Sequence, residues 1–153
     1  MEYQFEALEK TRKTILRILD GLTMDQLNII PEGFNNNIAW NFAHLVVTQQ
    51  LICYYFSGLP LEINKDLVNK YRKGSTPSES QPMSREEWEY FKNLFLSNVQ
   101  TTKEDYQKGK FENYKSYTTS LELTINTIED AINFNNVHEG LHLGYILALK
   151  RVI

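Results

Sequence analysis

Four long stretches of this chain repeat apolar residues every three or four positions, a spacing that predicts α-helices. The predicted helices cover about Glu2 to Leu22, Asn37 to Phe56, Ser84 to Tyr106 and Ile128 to Arg151. Polar segments with proline and glycine separate them. Because helices of this length bury an apolar stripe most simply against one another, the pattern predicts an all-α four-helix bundle. A length of 153 residues fits a single domain over residues 1–153.

Polar residues mark the predicted helix starts. Asn36 or Asn37 can cap the second helix, whereas Ser84 and Thr127, each with an acidic residue close behind, resemble capping boxes. Short helices are expected in the connections, at residues 23–28 and 63–74. Residues 110–126 are rich in β-branched and aromatic side chains, which favours an extended loop with a short strand.

Charge and composition exclude several classes of protein. The net charge is −3 with scattered lysines and arginines, so we expect no nucleic-acid partner. No apolar run approaches the roughly 18 residues that span a bilayer, and the polar N-terminus is unlike a signal peptide. Cys53 is the only cysteine, which rules out an intramolecular disulfide and suits a cytoplasmic protein. The short basic run at residues 70–73 is interpreted as a solvated loop rather than an anion site.

The three histidines point to a metal centre. His138 and His142 are four residues apart on the fourth helix and therefore share one face. His44 lies on an inward stripe of the second helix. Three imidazoles bind a divalent ion and leave one position open for water or substrate. The alternative is three ordinary core histidines, but an i,i+4 pair together with a third histidine on another inward stripe favours a site.

Imidazole ligands favour zinc, nickel or another first-row divalent ion over calcium or magnesium. Neighbouring side chains could orient the imidazoles or contact a substrate. These candidates are Asn37, Trp40, Asn41, Thr48, Asn135 and Tyr145.

The letters HEGLH also match the zinc-protease motif, with Glu139 as the base. We reject this interpretation because the eleven residues after His142 contain no third ligand. Glu139 is about 100° from His138 around the helix, so a solvated carboxylate is expected, although a general-base role stays open. Cys53 is about 180° from His44 and should face away from the site.

The segments around these histidines resemble the DinB-like superfamily. The resemblance rests on residues 36–60, with His44, and residues 133–153, with His138 and His142. It implies an up-down-down-up four-helix bundle, often homodimeric, in which the three histidines hold zinc or nickel. Family relatives include transferases and isomerases that use thiols such as bacillithiol or mycothiol, and others with hydrolase-like assignments.

Three functions remain as hypotheses. The first is a metal-dependent S-transferase acting on a small-molecule substrate with a low-molecular-weight thiol such as bacillithiol. The second is a metal-dependent hydrolase that uses bound water. The third is a non-catalytic, metal-binding stress-response bundle, which predicts a closed site without room for a substrate.

Overall fold

The computed structural model describes residues 1–153 and contains six α-helices and one small hairpin. The four long helices are α1 (Glu2–Leu19), α3 (Ile38–Gln49), α5 (Arg85–Gln107) and α6 (Ile128–Lys150). Short helices α2 (Met24–Asn28) and α4 (Lys65–Tyr71) lie in the connections, with a 3₁₀ turn at Pro77–Glu79. Strands β1 (Tyr117–Thr118) and β2 (Thr124–Ile125) pair antiparallel. The all-α prediction is confirmed.

The bundle is organised around α3. This helix and α1 each pack against both α5 and α6. Every residue of α3 except Thr48 is buried. No helix combines the length and apolar character needed to cross a membrane.

The predicted helix starts are confirmed in detail. Capping boxes begin α5 at Ser84 and α6 at Thr127, where each hydroxyl accepts a backbone N–H three residues on. At α3, the Asn37 side-chain oxygen accepts the Trp40 N–H at 2.7 Å. Each cap satisfies amide groups that a helix terminus leaves free, and is worth about 1 kcal/mol.

Two helix boundaries differ from the prediction. The first helix ends at Leu19, three residues early, because Gly21 adopts a positive φ of 80° and turns the chain. The second helix keeps α geometry only to Gln49 and continues as a π-helix over Gln50–Tyr55. A π-helix adds residues to each turn and often occurs at functional sites.

The expectation of a solvated Glu139 is wrong. Arg12 and Glu139 are both 0% exposed, and the guanidinium donates to the carboxylate at 2.6 and 3.0 Å. The guanidinium also donates to the carbonyl of Phe95 at 2.7 Å. Glu139 is buried because α1 packs over the side of α6 that carries it. Arg12 occupies a position in the buried stripe of α1, between Leu8 and Ile15.

This ion pair generates a stability prediction. Glu139→Leu leaves the Arg12 guanidinium buried without a counter-ion, so we expect the free energy of unfolding to fall by about 3–5 kcal/mol. Urea denaturation followed by circular dichroism measures the change. The double variant Arg12→Met/Glu139→Leu should recover most of the loss, because no buried charge remains. A double variant less stable than the single one would contradict this account.

Candidate metal centre

The structure brings the three histidines together between α3 and α6. The ring centroids are 4.8 Å apart for His44 and His142, 5.1 Å for His44 and His138, and 4.4 Å for His138 and His142. One ligand nitrogen from each ring lies within 4.8 Å of the other two. Two nitrogens on one tetrahedral zinc lie about 3.4 Å apart. Small side-chain adjustments therefore suffice for the three to bind one ion.

Hydrogen bonds fix the tautomer of His142. Asn41 donates its side-chain N–H to the carbonyl of Asn37 at 2.7 Å, which leaves its oxygen as an acceptor. That oxygen lies 2.7 Å from Nδ1 of His142. His142 therefore donates from Nδ1 and keeps the lone pair on Nε2 free for an ion.

Hydrogen bonds also fix the tautomer of His44. Its Nδ1 lies 2.7 Å from the carbonyl of Tyr71, which can only accept, so Nδ1 carries the proton. Its Nε2 lies 3.2 Å from the hydroxyl of Thr48. Trp40 stacks on the ring with a centroid distance of 4.4 Å. These three contacts fix the orientation of the His44 ring, with Nδ1 toward the Tyr71 carbonyl and Nε2 on the opposite side of the ring.

Burial keeps all three imidazoles neutral. It lowers the pKa of His44 to about 4, with the Tyr71 carbonyl opposing the shift. Burial, with the neighbouring His44, lowers the pKa of His142 to about 3. Burial, together with the two other histidines and Arg12, lowers the pKa of His138 as well. Neutral imidazole is the form that binds a metal, so no proton competes at pH 7.

The donor set fits a divalent metal. Three neutral imidazole rings converge. In His44 and His142, Nδ1 donates its proton to an oxygen acceptor, as in histidines that bind a metal through Nε2. Nδ1 of His138 is buried without any hydrogen-bond partner. A buried polar atom in this position requires a further group to satisfy it.

A cavity of about 980 Å³ opens onto the histidines. All three histidines line it, together with Trp40 and Thr48. The other walls come from the π-helix after α3, from α4, from the hairpin and from α6. The volume is at the upper end of the range for small-molecule sites.

The other predicted site residues divide into two groups. Trp40, Asn41 and Thr48 contact a histidine, whereas Asn37 acts through its carbonyl on Asn41. Four of these six residues lie outside the cavity lining, namely Asn37, Asn41, Asn135 and Tyr145. Asn135 is buried without a side-chain hydrogen bond, and Tyr145 packs edge-to-face on Phe34 with centroids 5.6 Å apart.

Cys53 and Glu139 also lie outside the cavity lining. Cys53 is packed in an apolar cluster, and burial raises the pKa of its thiol to about 12. It therefore has no nucleophilic character at neutral pH. Glu139 is held by Arg12, away from the cavity, so the structure gives no support to a general-base role.

Most of the cavity wall comes from residues that were not among the predicted site residues. Arg72 and Lys73 follow α4, Thr119 and Leu121 belong to the hairpin region, and Phe134 is on α6. Arg72 and Lys73 belong to the basic run at residues 70–73, for which the sequence favours a solvated loop, and no motif marks the other three residues. For the hairpin region, the signal was the concentration of aromatic and β-branched side chains in residues 110–126, which predicts an extended segment but not its position beside the histidines.

The comparisons with known proteins identify one family. The sequence model described as the DinB superfamily matches residues 7–146, a range that includes all three histidines. No curated protein matches the chain.

The hydrogen bond from His142 to Asn41 leads to a prediction about metal affinity. Asn41→Leu removes the acceptor that orients the imidazole, so zinc affinity should fall about 10- to 100-fold. Competition with a chromophoric chelator measures the affinity. Asn41→Asp keeps an oxygen acceptor for Nδ1 of His142 but loses the N–H donated to the Asn37 carbonyl, so it should bind zinc more tightly than Asn41→Leu. Unchanged affinity in Asn41→Leu would show that His142 does not depend on this contact.

Proposed function

The chain belongs to the DinB superfamily, and from this premise we propose that it is a metal-dependent enzyme that joins a low-molecular-weight thiol, through its sulfur, to a small electrophilic substrate. His44, His138 and His142 would hold the metal, zinc or nickel. Bacillithiol is the type of thiol proposed. A cytoplasmic setting is proposed with it, because thiols are kept reduced there.

The observation that carries this proposal is the cavity at the three histidines. A purely structural or storage site has no need of a space of about 980 Å³ beside its ligands. Apolar walls and one cluster of convergent polar groups are typical of sites for small organic molecules. This supports an enzyme over the non-catalytic stress-response bundle, which predicts a closed site.

The chemistry of the cavity wall favours a thiol over water as nucleophile. No aspartate or glutamate lines the cavity. Zinc hydrolases of the HExxH type use a glutamate as the base that takes the proton of the attacking water. A thiol has a pKa close enough to neutrality to react as its thiolate without such a base.

In the proposed reaction, the thiol loses its proton to solvent, a carbon–sulfur bond forms, and the bond from carbon to the leaving group breaks. The metal, when bound, supplies the positive charge that lowers the thiol pKa. The protein residues hold and orient: Asn41 and the Tyr71 carbonyl fix two imidazoles. Thr48 places a hydroxyl 3.2 Å from Nε2 of His44, where it can contact a bound thiol.

Metal content and thiol transfer test the proposal together. Untagged wild type should contain about one zinc or nickel per chain by elemental mass spectrometry, and His44→Ala, His138→Ala and His142→Ala should each lose it. Metal-loaded wild type should accelerate the conjugation of bacillithiol to monochlorobimane, whereas the histidine variants should show only the uncatalysed rate.

Cys53→Ala is the matched control, because it removes the only protein thiol from a site outside the cavity. It should keep full activity. A metal-loaded wild type that neither binds bacillithiol nor conjugates it would refute the transferase proposal. Histidine-dependent cleavage of an ester or amide in that case would establish the hydrolase alternative.

We also propose that the protein is a homodimer formed through the outer face of α6. The exposed residues between positions 137 and 148 are Val137, Gly140, Leu141, Gly144, Leu147 and Ala148. None is charged, so a second copy of this face meets no like-charge repulsion.

A Cβ at Gly140 or Gly144 would meet no atom within 4 Å, so packing within the chain does not require glycine there. Glycine destabilises a helix interior by about 1 kcal/mol relative to alanine, and close approach of a partner helix explains its presence.

Sedimentation equilibrium tests the dimer. Wild type should have about twice the chain mass of 18.0 kDa, whereas Val137→Glu/Leu147→Glu should sediment as a monomer because it buries two carboxylates at the interface. Tyr3→Glu is the control, since Tyr3 is 77% exposed on α1. A monomeric wild type at micromolar concentration would refute the dimer.

A further inference from the structure

The segment after α4 is attached to the metal centre at two points. The carbonyl of Tyr71 accepts the N–H of His44 at 2.7 Å. Four residues on, the hydroxyl of Ser75 accepts the indole N–H of Trp40 at 3.0 Å, and Trp40 stacks on His44. Residues 71–75 are therefore held directly beside the histidines.

Two cations lie between these attachment points. Arg72 and Lys73 both line the cavity, and neither forms a salt bridge with a carboxylate. The nearby Lys70, in contrast, is paired with Glu87 at 2.8 Å. Lys65, at the start of α4 and about 10 Å along the helix from Arg72, is a third unpaired cation on the lining. One wall of the cavity is thus cationic in a chain with a net charge of −3.

The rest of the cavity offers no counter-charge. No acidic side chain lines it, and much of the remaining surface is apolar, including Leu121, Phe134 and Leu141. A neutral apolar ligand would leave the cations without a partner. A small inorganic anion would leave the apolar surface without one. A molecule with an apolar body and an anionic group satisfies both parts of the cavity.

We propose that the cavity binds an organic anion, with its carboxylate or phosphate group at Arg72 and Lys73 and its body against the apolar wall. The arginine fork matches the geometry of either oxyanion. This inference rests on the proposed function for the identity of the cavity as the substrate site, and it deepens that function by naming the substrate class. It replaces the interpretation of residues 70–73 as a solvated loop, because Arg72 and Lys73 face a cavity and not only bulk water.

A pair of fluorescent probes tests the charge requirement without any catalytic assay. 8-Anilinonaphthalene-1-sulfonate carries an anionic group, and N-phenyl-1-naphthylamine is the same aromatic framework without it. Wild type should bind the sulfonate more tightly. Arg72→Gln/Lys73→Gln should weaken sulfonate binding about tenfold and leave the neutral probe within about twofold, since two solvent-accessible charge contacts are lost.

Lys10→Gln/Arg17→Gln is the matched control. It also removes one lysine and one arginine, from exposed positions on α1 outside the cavity, and should bind both probes as the wild type does. Circular dichroism confirms that each variant is folded. Arg72→Lys keeps the charge and should retain most of the sulfonate affinity, so a general loss of structure is distinguished from a loss of charge.

Displacement of the sulfonate probe separates the two oxyanions. Tighter competition by 2-naphthoate than by 2-naphthyl phosphate assigns a carboxylate, and the reverse order assigns a phosphate. Equal weakening of both probes in Arg72→Gln/Lys73→Gln, or unchanged sulfonate binding, overturns the proposal. So does a wild type that binds neither probe. Because no result depends on metal content or thiol transfer, failure here leaves the proposed reaction to be judged by its own assays.

Discussion

The burial of α3 on nearly all sides is the constraint that determines the rest of this structure. A helix with only Thr48 partly exposed must satisfy its polar side chains inside the protein. Asn37 caps the helix with its oxygen and donates its side-chain N–H to the carbonyl of Asn28, whereas Asn41 donates to the carbonyl of Asn37 and accepts from His142. His44 reaches the carbonyl of Tyr71 in the next helix. The polar groups of α3 are therefore fixed in orientation before any ligand is present.

This arrangement prepares the site electrostatically. Removing three imidazoles from water disfavours their charged form, and the low pKa values of His44 and His142 follow from that burial. The result is a set of neutral donors that an ion can use without displacing protons. The Arg12–Glu139 pair lies in the same core but outside the cavity lining, and Oε1 of Glu139 accepts two N–H groups of the guanidinium.

Irregular parts of the fold contribute much of the cavity wall in front of the histidines. The change from α to π geometry at Gln50 adds residues to the turn that carries Leu51 and Tyr55, and both line the cavity. The hairpin and the segment after α4 supply further walls, beside residues of α4 and α6. Regular helices thus hold the histidines, whereas the connections shape the space in front of them and set its charge. This division is common in proteins whose scaffold is rigid and whose loops determine specificity.

Local physics made much of the molecule predictable from its sequence. Helical periodicity, the caps at Asn37, Ser84 and Thr127, and the spacing of His138 and His142 depend on neighbours within one turn. The position of His44 opposite the other two histidines followed from the apolar stripe of its helix, which must point inward.

The burial of Glu139 could not be predicted, because it depends on Arg12, which is 127 positions away in the chain. Likewise, Arg72 and Lys73 become cavity residues only when α4 docks on His44 through the Tyr71 carbonyl. The sequence by itself determined the helices and the candidate ligands, whereas only the tertiary structure decided the cavity, its charge and the partner of each buried polar group, because those depend on contacts between distant segments.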